Sequence, residues 1–247
     1  MRRVAAIGSA STGSDWKVAA VVLAAGRSRR MGRDKLLLPW GSETVLGATL
    51  RNLREAGIAR TLVVTGGLGS DLDALVLDHG AELVPNPAAE AGEMLGSLQR
   101  GLAALPAAVD AVLVLLGDQP MIGPDIIRAV IDAGRRAAEI ATGHEADGTG
   151  LGDGSGIGSG PGQVLVVPEH EGRWGHPVLF GRDHVPELLA LAHGARPRDL
   201  LLRRRDLLTV LSVDAEEILA DLDTEADYLR WAPEGRNRSS HGLARYS

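Results

Sequence analysis

Arg27, Arg29, Arg30 and Lys35 crowd one glycine-containing loop, while acidic residues stand far along the chain at Asp118, Asp221 and Asp223. Cations gathered around Gly26 and Gly32 suit an anion, because glycine takes backbone angles that a Cβ forbids and lets main-chain N–H groups converge. The ligand this predicts is a triphosphate. A P-loop needs Gly-Lys followed by Ser or Thr, whereas Lys35 lies between Asp34 and Leu36. The dinucleotide fingerprint needs G-x-G-x-x-G, and Gly26 is followed by Arg27 and Ser28. What remains is a phosphate cradle of another kind, or a solvated basic turn without a ligand.

Asp118 follows the apolar run 109–116, so it sits just beyond a buried strand. Open α/β sheets bind ligands beyond the carboxyl ends of their strands. A carboxylate placed there beside a triphosphate calls for a hard cation, and Mg²⁺ binds one or two carboxylates together with phosphate oxygens. Asp118 also suits a cap on the turn into the next helix. Alternation puts Asp221 and Asp223 on one face of an extended segment, and Asp223 equally suits an N-cap for the last helix. His176, read by itself in a glycine loop, is a solvated side chain or a local hydrogen bond.

The elements that must position these groups follow a βα rhythm. Residues 18–23 are continuously apolar, as a strand covered on both faces must be. Pro39 keeps 36–40 extended. Further strands are expected at 61–65, 81–84, 109–116, 163–167, 178–180, 207–213 and 218–222. Helices are expected at 45–56, 71–79, 94–105, 124–140, 185–191, 197–204 and 225–231, the last capped by Thr224. This order predicts an α/β fold with a largely parallel sheet. Residues 1–16 lack periodicity and read as a flexible leader, 17–232 as one domain, and 233–247 as a tail. Residues 142–162 carry glycine at nearly every second position and read as a flexible insertion in that domain. A calcium-binding glycine repeat would need regular aspartates, and only Asp147 and Asp153 are there.

Composition narrows the function class. The chain has 247 residues, 45% of them apolar, enough for a full core. A net charge of −6 argues against a nucleic-acid surface. With no cysteine, disulfides, thiolate metal sites and a thiol nucleophile are excluded. No apolar run approaches the ~20 residues of a membrane span, and the stretch after Arg3 is too short for a secretory signal. A cytoplasmic protein is the default expectation.

LAAGRSRRMGRDKLL, residues 23–37, resembles the signature loop LAAGxSxRMGxxK of the MobA-like nucleotidyltransferases. GDQP at 117–120 and DLDTEADY at 221–228 are similar to that family's metal-bearing segments. NPAAEAGEMLGSL at 86–98 resembles its nucleobase segment, with Ala88 and Ala89 where an aromatic residue is usual. GRWGHPVLF at 172–180 resembles its acceptor segment. The resemblance covers roughly 18–231, the glycine insertion excepted. It implies a three-layer, Rossmann-like nucleotidyltransferase fold of the nucleotide-diphospho-sugar transferase type, with a mostly parallel sheet.

By the same resemblance Leu23, Ala24, Ala25, Gly26, Lys35, Gly66, Ser97 and Asp118 are nucleotide-binding, and Lys35, Arg27 and Arg30 are catalytic. Asp118 and Asp223 are the implied Mg²⁺ ligands, with Asp221 beside them. Arg173, Gly175, His176 and Pro177 are implied on the acceptor side. The family contains enzymes that attach CMP or GMP to molybdopterin. Its cytidylyl members carry LAAG where guanylyl members carry LAGG, so Ala25 and the DLDT segment imply CTP rather than GTP, while a molybdopterin-type acceptor and a receiving molybdoenzyme are implied by the family resemblance as a whole and not by these residues. Transfer with GTP, transfer to a phosphorylated sugar, polyol or phospholactate, and a non-catalytic nucleotide-binding chaperone remain the alternatives.

Overall fold

The computed structural model of the chain describes residues 2–5, 16–26, 34–67, 71–88, 94–146 and 160–233. Its strands are β1 (Arg2–Ala5), β2 (Val18–Ala24), β3 (Pro39–Trp40), β4 (Glu43–Thr44), β5 (Arg60–Thr65) and β6 (Glu82–Pro85). They continue with β7 (Ala111–Leu116), β8 (Leu165–His170), β9 (Arg173–Trp174), β10 (Val178–Gly181) and β11 (Leu208–Ser212). The helices are α1 (Val45–Glu55), α2 (Asp71–Asp78), α3 (Met94–Ala103), α4 (Pro124–Ala146), α5 (Val185–Leu189), α6 (Pro197–Arg203) and α7 (Glu225–Trp231).

Among the described residues the main sheet runs β1-β11-β8-β10-β7-β2-β5-β6, with β9 hairpinned onto β8. β7, β2, β5 and β6 are mutually parallel, as are β1, β11 and β8. β10 runs antiparallel to both of its neighbours. The sheet is therefore mixed but mostly parallel, and the fold is α/β and Rossmann-like.

Strand alternation divides the core in two. Ala20, Val22 and Ala24 of β2 and Leu113 and Leu115 of β7 face the layer containing α1, α2 and α4. Ala19 and Val21, with Val112 and Val114, face the layer of α3, α5 and α6. Both faces are covered, which is why these strands read as unbroken apolar runs. Thr44 caps α1 by accepting from the Gly47 N–H at 3.0 Å.

Several elements differ from expectation. Arg2–Ala5, placed by sequence in a structureless leader, pairs in parallel with β11. Four residues are too few to show a period, and the open edge of β11 supplies the pairing groups. Trp16, at the end of the same leader, packs against the α1/α4 core. Helix α4 continues to Ala146, into the glycine-rich stretch, with the Thr142 hydroxyl donating to the Glu139 carbonyl at 2.9 Å. Residues 147–159 of the insertion lie outside the described residues. The strand expected at 218–222 is instead a 3₁₀ turn, Glu216–Leu219, because Ile218 turns its carbonyl to the His176 N–H at 2.9 Å. Lys35–Leu37 is also a 3₁₀ turn, started by the Asp34 carboxylate accepting from the Leu36 N–H.

Candidate functional site

Parallel strands deliver their carboxyl ends to one edge, so Ala24, Thr65, Pro85 and Leu116 end side by side. The loops that follow are stitched together. The Gly117 N–H donates to the Leu23 carbonyl at 2.9 Å, and the Thr49 hydroxyl donates to the Gly117 carbonyl at 3.2 Å. Asn52 holds the next turn through the carbonyls of Pro120 and Ile122, both at 3.0 Å. Gly66 comes so near the first loop that a Cβ there would lie 3.3 Å from the Ala25 carbonyl oxygen. Asn86 links β5 to α3: its N–H donates to the Thr65 carbonyl at 2.8 Å and its side chain donates to Ser97 Oγ at 3.2 Å. Ala25, Gly66 and Ser97 therefore share one end of the sheet. Gly26 has an ordinary φ and open space where a Cβ would be, so its glycine makes room rather than relieving strain.

Lys35 is the centre of the charge arrangement. Its Nζ stands 2.5 Å from an Asp118 carboxylate oxygen and 3.0 Å from one of Asp223. The Lys35 and Asp118 side chains are 15% and 12% exposed, Asp223 43%. Burial works to lower the Lys35 pKa, but the two carboxylates outweigh it and hold the ammonium above its ordinary value. Asp221 is pushed up by burial and by the charges of Asp223 and Asp118, with Lys35 opposing. An ammonium clasped by two carboxylates is a stand-in for a hard cation, and this donor set fits one. Among the described residues no three carboxylate or imidazole groups converge to hold a metal by themselves. Two carboxylates sharing an ion with phosphate oxygens is the arrangement Mg²⁺ favours.

The second acidic segment reaches this place through contacts that sequence reasoning missed. Gln119 is 2% exposed, and its amide donates to the Ala220 carbonyl at 3.0 Å, tying the Asp118 turn to the Asp221–Asp223 segment. Leu222 is fully buried and anchors that segment. The Tyr228 hydroxyl donates to the Pro39 carbonyl, and its ring meets Trp40 edge-on at 6.1 Å. Helix α7 is thus fixed to the chain that follows Lys35. Thr224, not Asp223, caps α7, accepting from the Asp227 N–H at 3.2 Å. Asp223 is left to face Lys35. Gln119 stood inside GDQP, but nothing in its spacing announced a partner 101 residues away.

His176 arrives by topology. β10 is antiparallel, with Val178 opposite Val114, so the residues preceding it meet the edge where β7 ends. Burial pushes the His176 pKa down, with the Val114 carbonyl and Asp118 opposing, so the ring is neutral at pH 7. Its Nδ1 is enclosed and, among the described residues, has no hydrogen-bond partner. Gly175 allows the approach: a Cβ would sit 2.2 Å from the Ile218 carbonyl oxygen. Trp174, Gly175 and His176 line a cavity of about 680 Å³ with Leu23 and Val114. Arg173 is exposed and, like Pro177, does not line it. Arg27, Arg29, Arg30 and Gly32 lie outside the described residues. Trp174 had one available signal, a large aromatic in a glycine loop where no period requires it.

Residues 20–208 match the MobA-like NTP transferase domain. The molybdenum cofactor cytidylyltransferase of Escherichia coli is 26% identical over 211 residues, 85% of this chain and 92% of that protein. Among solved structures, the Rv0371c protein of Mycobacterium tuberculosis is 30% identical with a TM-score of 0.68, covering 88% of this chain and 98% of its own. A manganese complex of that protein superposes with a TM-score of 0.64 at 29% identity, covering 87% and 98%. Among the described residues no helix is long and apolar enough to cross a membrane.

Proposed function

The chain belongs to the MobA-like NTP transferase family and is a nucleotidyltransferase, and from that premise we propose that it transfers CMP from CTP to a molybdopterin-type acceptor, releasing pyrophosphate. The observation that carries this reading is the Lys35 ammonium held between Asp118 and Asp223 at the carboxyl edge of the parallel strands. The likeness to the Escherichia coli cytidylyltransferase supports the base and the acceptor. Ala25 supports the base as well, since it stands where guanylyl members of the family carry glycine and its methyl group would narrow a base pocket. The manganese bound by the Mycobacterium tuberculosis relative supports a divalent ion. In this chain Mg²⁺ would be held by Asp118 and Asp223, with Asp221 alongside. A cytoplasmic setting and a receiving molybdoenzyme complete the proposal.

In the reaction, an oxygen of the acceptor phosphate attacks the α-phosphorus of CTP in line. The new P–O bond forms as the bond to the β-phosphate oxygen breaks, and that oxygen keeps the electron pair in pyrophosphate. The attacking oxygen is already anionic, so no protein nucleophile or strong base is required. Positioning and charge neutralisation supply the rate. Backbone N–H groups at Ala25 and Gly26 hold the triphosphate, with Arg27 and Arg30 as further cations. Lys35 exchanges its two carboxylate partners for phosphate oxygens and neutralises charge that develops toward pyrophosphate. The divalent ion, when bound, adds charge neutralisation and fixes the relative orientation of nucleotide and acceptor.

Pyrophosphate release tests this, with purified protein, Mg²⁺, a molybdopterin-type acceptor and each of the four NTPs in turn. Release with CTP alone is expected. Release with GTP alone would overturn the base assignment made from Ala25. Binding of CTP without release, with any phosphorylated acceptor, would overturn the assignment as an enzyme.

A further inference from the structure

Between the end of β11 and Asp221 the chain forms no strand and no α-helix, so the reach of Asp221 and Asp223 toward Lys35 depends on what holds residues 213–220. His170 stands at the entry to that stretch. β8 and β9 are joined by the two-residue turn Glu171-Gly172, both at positive φ, 48° and 79°, which closes β8 at His170 opposite Arg173. The partly buried imidazole then leans over the chain leaving β11, where the Val213 N–H already donates to the Glu169 carbonyl at 2.9 Å. Two groups meet its Nδ1, the Ala215 N–H at 3.2 Å and the Val213 carbonyl oxygen at 3.1 Å. One nitrogen cannot accept and donate at once. An orphaned N–H is rarer in folded proteins than an under-satisfied carbonyl, so the Ala215 N–H has the stronger claim.

We propose that His170 is a positioning residue for the metal-bearing segment: as the neutral tautomer with its proton on Nε2, it accepts the Ala215 N–H at Nδ1 and fixes the turn that delivers Asp221 and Asp223 to Lys35. The inference rests on the nucleotidyl-transfer reading and adds a residue, remote from the carboxylates, that sets their place. The contacts run without a break. Ala215 opens the 3₁₀ turn Glu216–Leu219, and Ile218 within it is fully buried and gives its carbonyl to the His176 N–H at 2.9 Å. Ala220, just past the turn, gives its carbonyl to Gln119 beside Asp118. Those bonds restrain carbonyls of the segment, while His170 restrains the N–H at its start. Residues 221–223 lie in no helix or strand, and the Asp223 side chain is 43% exposed, so a shift of the turn passes directly to the carboxylates. Leucine at 170 leaves the Ala215 N–H without its acceptor. Asparagine keeps it, since its Oδ1 accepts from Ala215 while its amide donates to the Val213 carbonyl.

The test is Mn²⁺ binding to the full chain, read from the electron paramagnetic resonance of the free ion, together with nitrogen NMR of the His170 ring. Above neutral pH, Nδ1 is expected to show the unprotonated shift and Nε2 the protonated one. His170→Leu should weaken Mn²⁺ binding by about tenfold, the upper range for one lost hydrogen bond, and His170→Asn should hold it within about twofold of wild type. Gln99→Leu is the stability control. Its amide donates to the carbonyls of Leu188, Leu189 and Leu191 where α3 meets α5, so its loss should lower Tm while Mn²⁺ affinity stays within about twofold. Mn²⁺ affinity indifferent to His170→Leu, or lost as much in His170→Asn, overturns the inference. Affinity lost as much in Gln99→Leu overturns it too, because stability alone would then account for the effect. A protonated Nδ1 in the wild-type chain overturns it even where His170→Leu does not fold. Failure of the wild-type chain to bind Mn²⁺ at all would strike the metal reading of Asp118 and Asp223 instead, so the two failures are separable.

Discussion

Replacing Lys35 by methionine keeps the aliphatic stem and removes the ammonium that holds Asp118 and Asp223 together. Breaking a fully buried pair costs about 3–5 kcal/mol, while an exposed pair is worth about 0–1 kcal/mol. Lys35 and Asp118 are mostly buried and Asp223 is nearly half exposed, so the loss falls between those limits, about 2 kcal/mol. For a chain of this length that lowers Tm by about 4–8 °C in EDTA. A divalent ion can then settle between the freed carboxylates without displacing an ammonium. Binding at a hundred times Kd returns about 2.7 kcal/mol, enough to recover the loss. Thermal melts of wild type and Lys35→Met, with EDTA and with Mn²⁺, give the comparison. The variant should gain more from Mn²⁺ than wild type does, while turnover per folded molecule falls by about 100-fold or more, the loss of one strong transition-state charge contact. Equal Mn²⁺ stabilisation of the two proteins would refute the idea that Lys35 and the metal share a place. Activity lost only in proportion to the unfolded fraction would refute its catalytic role.

Other expectations follow from neighbouring contacts. Gly175→Ala drives a methyl group against the Ile218 carbonyl at 2.2 Å and must shift the segment that carries Asp221 and Asp223; Tm and metal affinity should fall together, and unchanged metal affinity would contradict this. Gln119→Leu removes the donor to the Ala220 carbonyl, costing about 1–3 kcal/mol by chemical denaturation, and should loosen Mn²⁺ binding while leaving CTP affinity nearly intact. Asp221 has a raised folded pKa, so its favourable contribution exists below the ordinary 3.8 and is lost as pH rises through the folded value. Asp221→Asn should therefore be more thermostable than wild type in EDTA at pH 7, with the difference vanishing in acid; a constant difference across pH would rule out this charge as the cause.

Local chemistry made much of the molecule legible from the chain alone. Buried parallel strands are apolar at every position, so β2 and β7 stand out without any partner in view. Pro124 at the first turn of α4 and Thr44 before α1 mark helix starts through nearest-neighbour hydrogen bonding and backbone angles. Short elements were lost for the opposite reason. Arg2–Ala5 has no periodicity to read and exists because β11 offers an edge. The 218–222 segment has strand-like residues but bends because its carbonyl has a partner at His176.

The site divides in the same way. Residue types alone raised the expectation of a phosphate beside a hard cation, because charge and glycine content are properties of single positions. Which carboxylate meets Lys35 depends on contacts across more than a hundred residues. The Gln119–Ala220 hydrogen bond and the Tyr228–Pro39 contact place Asp223 there and leave Thr224 to cap α7. The reversal of β10 carries His176 to the edge where Asp118 sits. It also folds Trp174 over a cavity that no spacing in the chain describes, since the opposite walls come from α3 and α6 on another part of the sequence. Sequence determined the chemistry of each side chain, and tertiary structure decided which of them meet, because meeting requires register and strand direction that only the closed sheet fixes.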